Sequence, residues 1–112
     1  MSLKLGGLLF TGPFPVETVV VRANKVPVVY AIVAKGGPSW APVFRVIDVG
    51  ASPDSGISLA DHPSRPNWRV AEGEVIGAYM LNLPRSEYAQ ADRERLAAEL
   101  RGRYESPDDR VA

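Results

Sequence analysis

The sequence predicts a single α+β domain of the α/β sandwich type, in which a small, mainly antiparallel three-stranded sheet is flanked by helices. Three observations carry this. Two runs rich in β-branched and aromatic residues, 26–34 and 42–50, stand on either side of a turn built from glycine and proline. A third run of the same kind spans 74–83 and is closed by Pro84. From Ser86 to Tyr104 the composition shifts to alanine, leucine, glutamate and arginine, with apolar residues at helical spacing.

Residues 1–25 read as an N-terminal arm. Gly12, Pro13 and Pro15 lie within Leu8–Pro15, and proline fixes φ and removes a donor, so a long regular element is not expected there. An edge strand is predicted over Val16–Arg22 from Val19, Val20 and Val21. The domain proper covers 26–107. Its first core strand, Val26–Ala34, contains Val28, Val29, Tyr30, Ile32 and Val33 and ends at Lys35-Gly36-Gly37-Pro38. The second, Pro42–Gly50, contains Val43, Phe44, Val46, Ile47 and Val49, and the short loop between the two implies an antiparallel hairpin.

From Ser52 to Asp61 a short helix is expected, with Ser52 or Asp54 as its cap. Ile57 with Asp61 and Leu59 with His62 then lie on neighbouring faces, although Gly56 costs such a helix about 1 kcal/mol. His62-Pro63-Ser64-Arg65-Pro66-Asn67 is a loop, because two prolines so close break either regular structure. Glu74–Leu83 is the third strand. In the long helix Ser86 is the N-cap, Glu87 complements the dipole, and Tyr88, Ala89, Leu96, Leu100 and Tyr104 form the buried stripe. Arg95–Glu99 and Glu99–Arg103 are expected i,i+4 pairs on its wet side. Residues 108–112 read as a disordered tail.

Composition narrows the function classes. With 112 residues the chain builds one core, and 46% hydrophobic with 23% charged residues is the profile of a folded protein. Thirteen basic residues balance thirteen acidic ones, so no global field draws in phosphate backbones. The absence of cysteine removes disulfides, thiolate nucleophiles and sulfur-ligated zinc together. Apolar runs fall short of the ~20 residues that a membrane helix needs, and Met1-Ser2-Leu3-Lys4-Leu5 lacks the apolar core of a leader. A cytoplasmic location without membrane association is therefore the expectation. No phosphate-binding glycine loop, nucleophile elbow or metalloprotease helix is present.

The order hairpin, short helix, strand, long helix resembles the GIY-YIG nuclease domain over about 26–107. Val28-Val29-Tyr30 stands where that family carries Gly-Ile-Tyr, keeping the tyrosine, and Asp48-Val49-Gly50 stands for Tyr-Ile-Gly, keeping the glycine. The stretch from Gly50-Ala51-Ser52 to Ala60-Asp61-His62 is similar to the family's loop and its helix ending in histidine. Phosphodiester hydrolysis needs an activated water, stabilisation of the charge that develops on the phosphate and, as a rule, a divalent ion held by a carboxylate. The resemblance places the family's arginine at Ser58 and its metal-binding glutamate at Ala97, so both charges are gone. Glu94 or Glu99 would serve only after a shift along the helix, and one residue turns a side chain by roughly 100°.

Each candidate has a plainer reading beside the functional one. Tyr30 orients a water, or is a core tyrosine with a satisfied hydroxyl. His62, the only histidine, is an acid or base, or fixes a loop. Asp48, Asp54 and Asp61 hold a cation, or are strand-end and helix-associated carboxylates. Arg65, Arg69 and the helix arginines contact phosphate with Trp68 stacking on a base. The plainer reading makes Arg93, Arg95, Arg101 and Arg103, interleaved with Asp92, Glu94 and Glu99, a solvated helix face. Trp40 marks a contact surface or folds onto residues 8–15. The expected function is a non-catalytic binding module that uses the hairpin face to engage a protein partner or a second copy and needs no cofactor. The alternative is a divergent metal-dependent endonuclease in which Tyr30, Asp48, His62 and a carboxylate of the long helix act with Mg2+ or Mn2+ on DNA or RNA.

Overall fold

The computed structural model describes residues 2–16, 20–21, 27–52, 57–83 and 88–104. Its elements are β1 (Ser2–Leu5), β2 (Leu8–Phe14), β3 (Val20–Val21), β4 (Val28–Gly36), β5 (Val43–Ala51), β6 (Ile57–Ser58), β7 (Val75–Asn82) and α1 (Gln90–Arg103). Five strands form one curled antiparallel sheet, like half a barrel, in the order β1-β2-β7-β4-β5. β3 and β6 pair separately.

The expected three-stranded sheet flanked by helices is thus corrected on two counts. The sheet gains β1 and β2 because Leu3, Leu5 and Phe10 point into the core at the two-residue period of a strand. Gly6 and Gly7 join these strands with φ of 57° and 83°, as a two-residue hairpin turn of the primed type requires. Pro13 does not stop β2, because it falls where the register against β7 shifts between Thr11 and Phe14 and no ladder donor is needed. Of the expected edge strand Val16–Arg22, Val20–Val21 is strand and pairs with β6, while 17–19 and 22 lie outside the described residues.

The second correction concerns the helices, of which the described residues contain one α-helix. The expected helix over Ser52–Asp61 is replaced by β6 and a turn, with Asp54 and Gly56 outside the described residues. Ser52 extends the ladder rather than capping: its N–H donates to the Val28 carbonyl at 2.9 Å, and its hydroxyl accepts the Val28 N–H at 3.2 Å. α1 begins at Gln90, where Asp92 accepts the Ala89 N–H at 3.0 Å; Ser86 and Glu87 lie outside the described residues. Its buried stripe is Arg93, Ala97 and Leu100, with Tyr88 and Ala89 exposed before the helix. Arg95 turns back to Asp92 at 3.5 Å. Arg93, expected on the wet face, is 1% exposed and donates to the Leu83 and Tyr88 carbonyls and the Gln90 side chain. This described helix is not long and apolar enough to cross a membrane.

β4 is buried on both faces. Val29, Ala31 and Val33 pack with Val49, Leu100 and Ala97 beneath α1. Val28, Tyr30 and Ile32 pack on the opposite face with Leu59, Trp68 and Met80. β5 would alternate in step, but its register shifts between Ile32 and Val33, leaving Ile47 as an extra residue. Such a bulge turns two successive side chains the same way. Val46 and Val49 both reach the helix face, while Ile47 and Asp48 lie opposite.

Candidate functional site

Opposite the helix, the loop from Leu59 to Trp68 lays its side chains on the β4–β5 hairpin. Tyr30 pairs across the hairpin with Gly50, and a Cβ at Gly50 would run into its hydroxyl, so the ring lies over the glycine only because that side chain is missing. The Tyr30 hydroxyl is 2.6 Å from His62 Nε2. His62 Nδ1 accepts the Ser64 N–H at 3.0 Å, which puts the proton of the neutral ring on Nε2 and makes Tyr30 the acceptor of that N–H. The imidazole is held between two aromatics, edge-on to Tyr30 at 5.8 Å and tilted over Trp68 at 4.9 Å.

Asp48 joins this group to the helix. Its Oδ2 accepts the Trp68 indole N–H at 3.0 Å, its Oδ1 accepts the Val49 N–H at 2.9 Å, and Arg101 Nε lies 3.5 Å from Oδ1. The Arg101 guanidinium also donates to the Val49 carbonyl, so the helix reaches around the sheet's edge to hold β5. Arg65 lies over the Trp68 ring with its guanidinium carbon 6.0 Å from the centroid.

These surroundings set protonation. Burial, reinforced by the Asp48 charge and opposed by Arg101, pushes the Tyr30 hydroxyl up to about 12, so it keeps its proton at neutral pH. Burial lowers the His62 pKa, against a raising effect of Asp48 and with a further lowering from Arg101, so the ring is neutral at pH 7. The cluster therefore presents a protonated phenol and a neutral imidazole whose ring nitrogens are both engaged. As it stands, this arrangement holds its own groups in place; Nε2 is free to take a proton only after the ring changes tautomer.

Of the residues singled out from sequence, Tyr30, Asp48, His62, Arg65 and Trp68 come together. Trp68 is 5% exposed and anchors the loop rather than offering a face to a base. Trp40, 85% exposed on the hairpin turn, stands apart and does not fold onto residues 8–15. Asp61 is exposed, and Asp54 lies outside the described residues. Among the described residues no three histidine, aspartate or glutamate side chains gather as a metal site. Ala97 is buried against the sheet, while Glu94 and Glu99 face solvent.

Sequence reasoning missed two features. Arg101 is named there only among the helix arginines, and its hold on Asp48 and Val49 is not foreseen, although its place beside Leu100 puts it on the flank of the buried stripe. The second is a groove of about 640 Å³ along the outer edge of β5. Residues Arg45–Val49 form its floor, Ala98 and Arg101 line it from α1 with Tyr104 just past the helix's end, and Asn67 and Arg69 line it from the loop. Arg45 fastens the loop by donating to Glu74 Oε1 at 2.8 Å and to the Arg69 carbonyl at 3.3 Å.

No protein-family model, curated protein or solved structure matches the chain.

Proposed function

We propose that the chain is a non-catalytic binding module that receives a protein partner in the groove beside β5, with the Tyr30–His62–Trp68–Asp48–Arg101 cluster as the rigid wall that holds it open. The observation that carries this reading is the way the cluster spends its polar groups on itself. His62 uses both ring nitrogens, and Asp48 serves Trp68, Val49 and Arg101 at once. Groups engaged in this way hold elements in place, and the open polar surface lies next door along the strand edge. The likeness to GIY-YIG motifs belongs to the proposal through its residues alone. In its support, the strands carrying Val28-Val29-Tyr30 and Asp48-Val49-Gly50 are hydrogen-bonded neighbours with Tyr30 opposite Gly50.

One observation favours a second reading, a divergent metal-dependent endonuclease: Tyr30, Asp48, His62 and an arginine meet in one place despite their separation in sequence. Under that reading Mg2+ or Mn2+ joins Asp48, and His62 changes tautomer to serve as a base.

Selection of ligands from a random peptide library, with backbone amide chemical shifts recorded for the chain bound to each, tests the first reading beside a nuclease assay. The assay uses single-stranded, duplex and branched DNA and RNA with either metal. The binding module predicts ligands that shift the amides of Arg45–Val49 and no cleavage. Cleavage that Asp48→Asn abolishes establishes the nuclease instead, and a library yielding no ligand at β5 removes the binding module.

A further inference from the structure

The outer edge of β5 has a polarity that can be read residue by residue. Val49 directs its N–H and its carbonyl away from β4, since Asp48 and Arg101 bind them. Antiparallel pairing alternates inward and outward residues, so Ala31, opposite Val49, faces β7, and Val33 and Lys35 do so in turn. Their partners across the hairpin, Val46 and Phe44, therefore point their backbone N–H and carbonyl groups outward, Val46 into the groove and Phe44 along the same edge next to Arg45. β5 ends the sheet order, and no described residue answers these outward groups. Successive outward residues lie about 7 Å apart, the repeat of an extended chain.

Three arginines, Arg45, Arg69 and Arg101, line this groove against one carboxylate, Asp48. Glu74 neutralises Arg45 at 2.8 Å, which leaves the exposed Arg69 and the half-shared Arg101 as a cationic surplus at the loop and helix walls. The surplus is local, because the whole chain has no net charge. Resting on the reading of β5 as a docking edge, we infer that the groove takes an acidic peptide segment of a partner protein as an added strand. Its backbone bonds to Phe44 and Val46, and its carboxylates face Arg69 and Arg101. Side-chain capping of Val49 ends the ladder there, so the added strand is short and its register is fixed. A strand edge recognises peptide backbone, which is why a peptide is favoured over phosphates.

The test uses the full chain and four probes by calorimetry: acetylated, amidated (Glu-Val)4, (Lys-Val)4 and (Glu-Pro)4, and an eight-nucleotide single-stranded DNA. The expected result is binding of (Glu-Val)4, weakened about tenfold or more by lysine in place of glutamate. It is weakened as strongly in (Glu-Pro)4, which keeps the charge and loses alternate N–H donors. Slowed amide exchange at Phe44 and Val46 marks the added strand. Arg69→Ala lowers the affinity several-fold, and Val46→Pro, which removes an outward donor from an edge strand, abolishes binding while the fold persists. Should Val46→Pro unfold, the (Glu-Pro)4 comparison decides. Equal affinity for the glutamate and lysine peptides, undiminished affinity for (Glu-Pro)4, or tighter binding of the DNA overturns the inference. Library ligands that occupy β5 without being acidic strands overturn this inference and leave the binding module intact, whereas failure of every ligand at β5 removes both.

Discussion

The two faces of the central sheet are covered in opposite ways. Beneath α1 the packing is mainly apolar: Leu3, Leu5, Phe10, Val29, Val33, Val49 and Leu100 fill one volume, and the buried Arg93 at the helix's start is satisfied by the Leu83 and Tyr88 carbonyls and the Gln90 side chain. On the other face Val28, Ile32, Leu59 and Met80 share the space with Tyr30 and Trp68, whose polar ends are tied through His62 and Asp48. A helix satisfies its own backbone and needs only an apolar stripe to dock. Residues 62–68, which wind into a 3-10 turn at Arg65–Asn67, satisfy their backbone locally, from the Arg65, Asn67 and Trp68 N–H groups to the His62, Ser64 and Arg65 carbonyls, and tie their polar side chains down to Tyr30 and Asp48. The first face is held by volume, the second by hydrogen bonds and shape together.

Substitutions should divide along that line. Phe10→Ala, at a position with no exposure, is expected to cost about 3–5 kcal/mol in urea unfolding with an unchanged m-value. A loss below about 1 kcal/mol would show that the helix face is not volume-limited. Asp48→Ala leaves the Trp68 and Val49 donors without their acceptor and is expected to cost about 1–3 kcal/mol, with Asp48→Asn recovering part of it. If alanine and asparagine destabilise equally, the carboxylate acts through charge on Arg101 alone.

Acidification is expected to loosen only the second face. The pKa of His62 is lowered in the fold, so the unfolded chain binds the proton more readily, and the stability contributed by the neutral ring is complete above about pH 6.5. It is lost as pH falls through the lowered folded value. Glu74, held below its ordinary 4.5 first by the Arg45 hydrogen bond and then by the Ala71 N–H, contributes in the same direction at lower pH. Urea midpoints taken between pH 8 and 5 should fall in the native chain and stay flatter in His62→Gln; equal slopes would remove the histidine from the account. The smallest effect is expected at Asp92→Ala. It loses the Ala89 N–H bond at the start of α1 and an exposed contact to Arg95, and should cost below about 1 kcal/mol by thermal melting.

What the sequence reveals follows the same division. β4, β5, β7 and α1 are legible to within a few residues, because each carries its own periodicity or composition. β1 is missed although Leu3 and Leu5 alternate, since four residues seldom outweigh the glycines and prolines that follow. The helix expected over Ser52–Asp61 fails because spacing alone does not show that Ser52 is already bonded to Val28, 24 residues away. Within the candidate site, Tyr30, Asp48, His62, Arg65 and Trp68 can be picked out as chemically capable residue types. The partners that decide their state, Ser64 N–H, Gly50 and Arg101, come from the tertiary fold. The β5 groove has no sequence signature at all: being an edge is a property of strand order.

Strand order also governs how the chain can be assembled in time. β7 is the last of the described strands to be synthesised, yet it sits in the middle of the sheet, between β2 and β4. The β1–β2 and β4–β5 hairpins form from near neighbours in sequence, and among the described strands of the large sheet only Val75–Asn82 pairs with both. Insertion of β7 closes both long loops together, so the entropy of closure falls on one late event that sets the folding rate. A ribosome paused before residue 75 would display two unfinished inner strands side by side, the most aggregation-prone surface this chain ever shows.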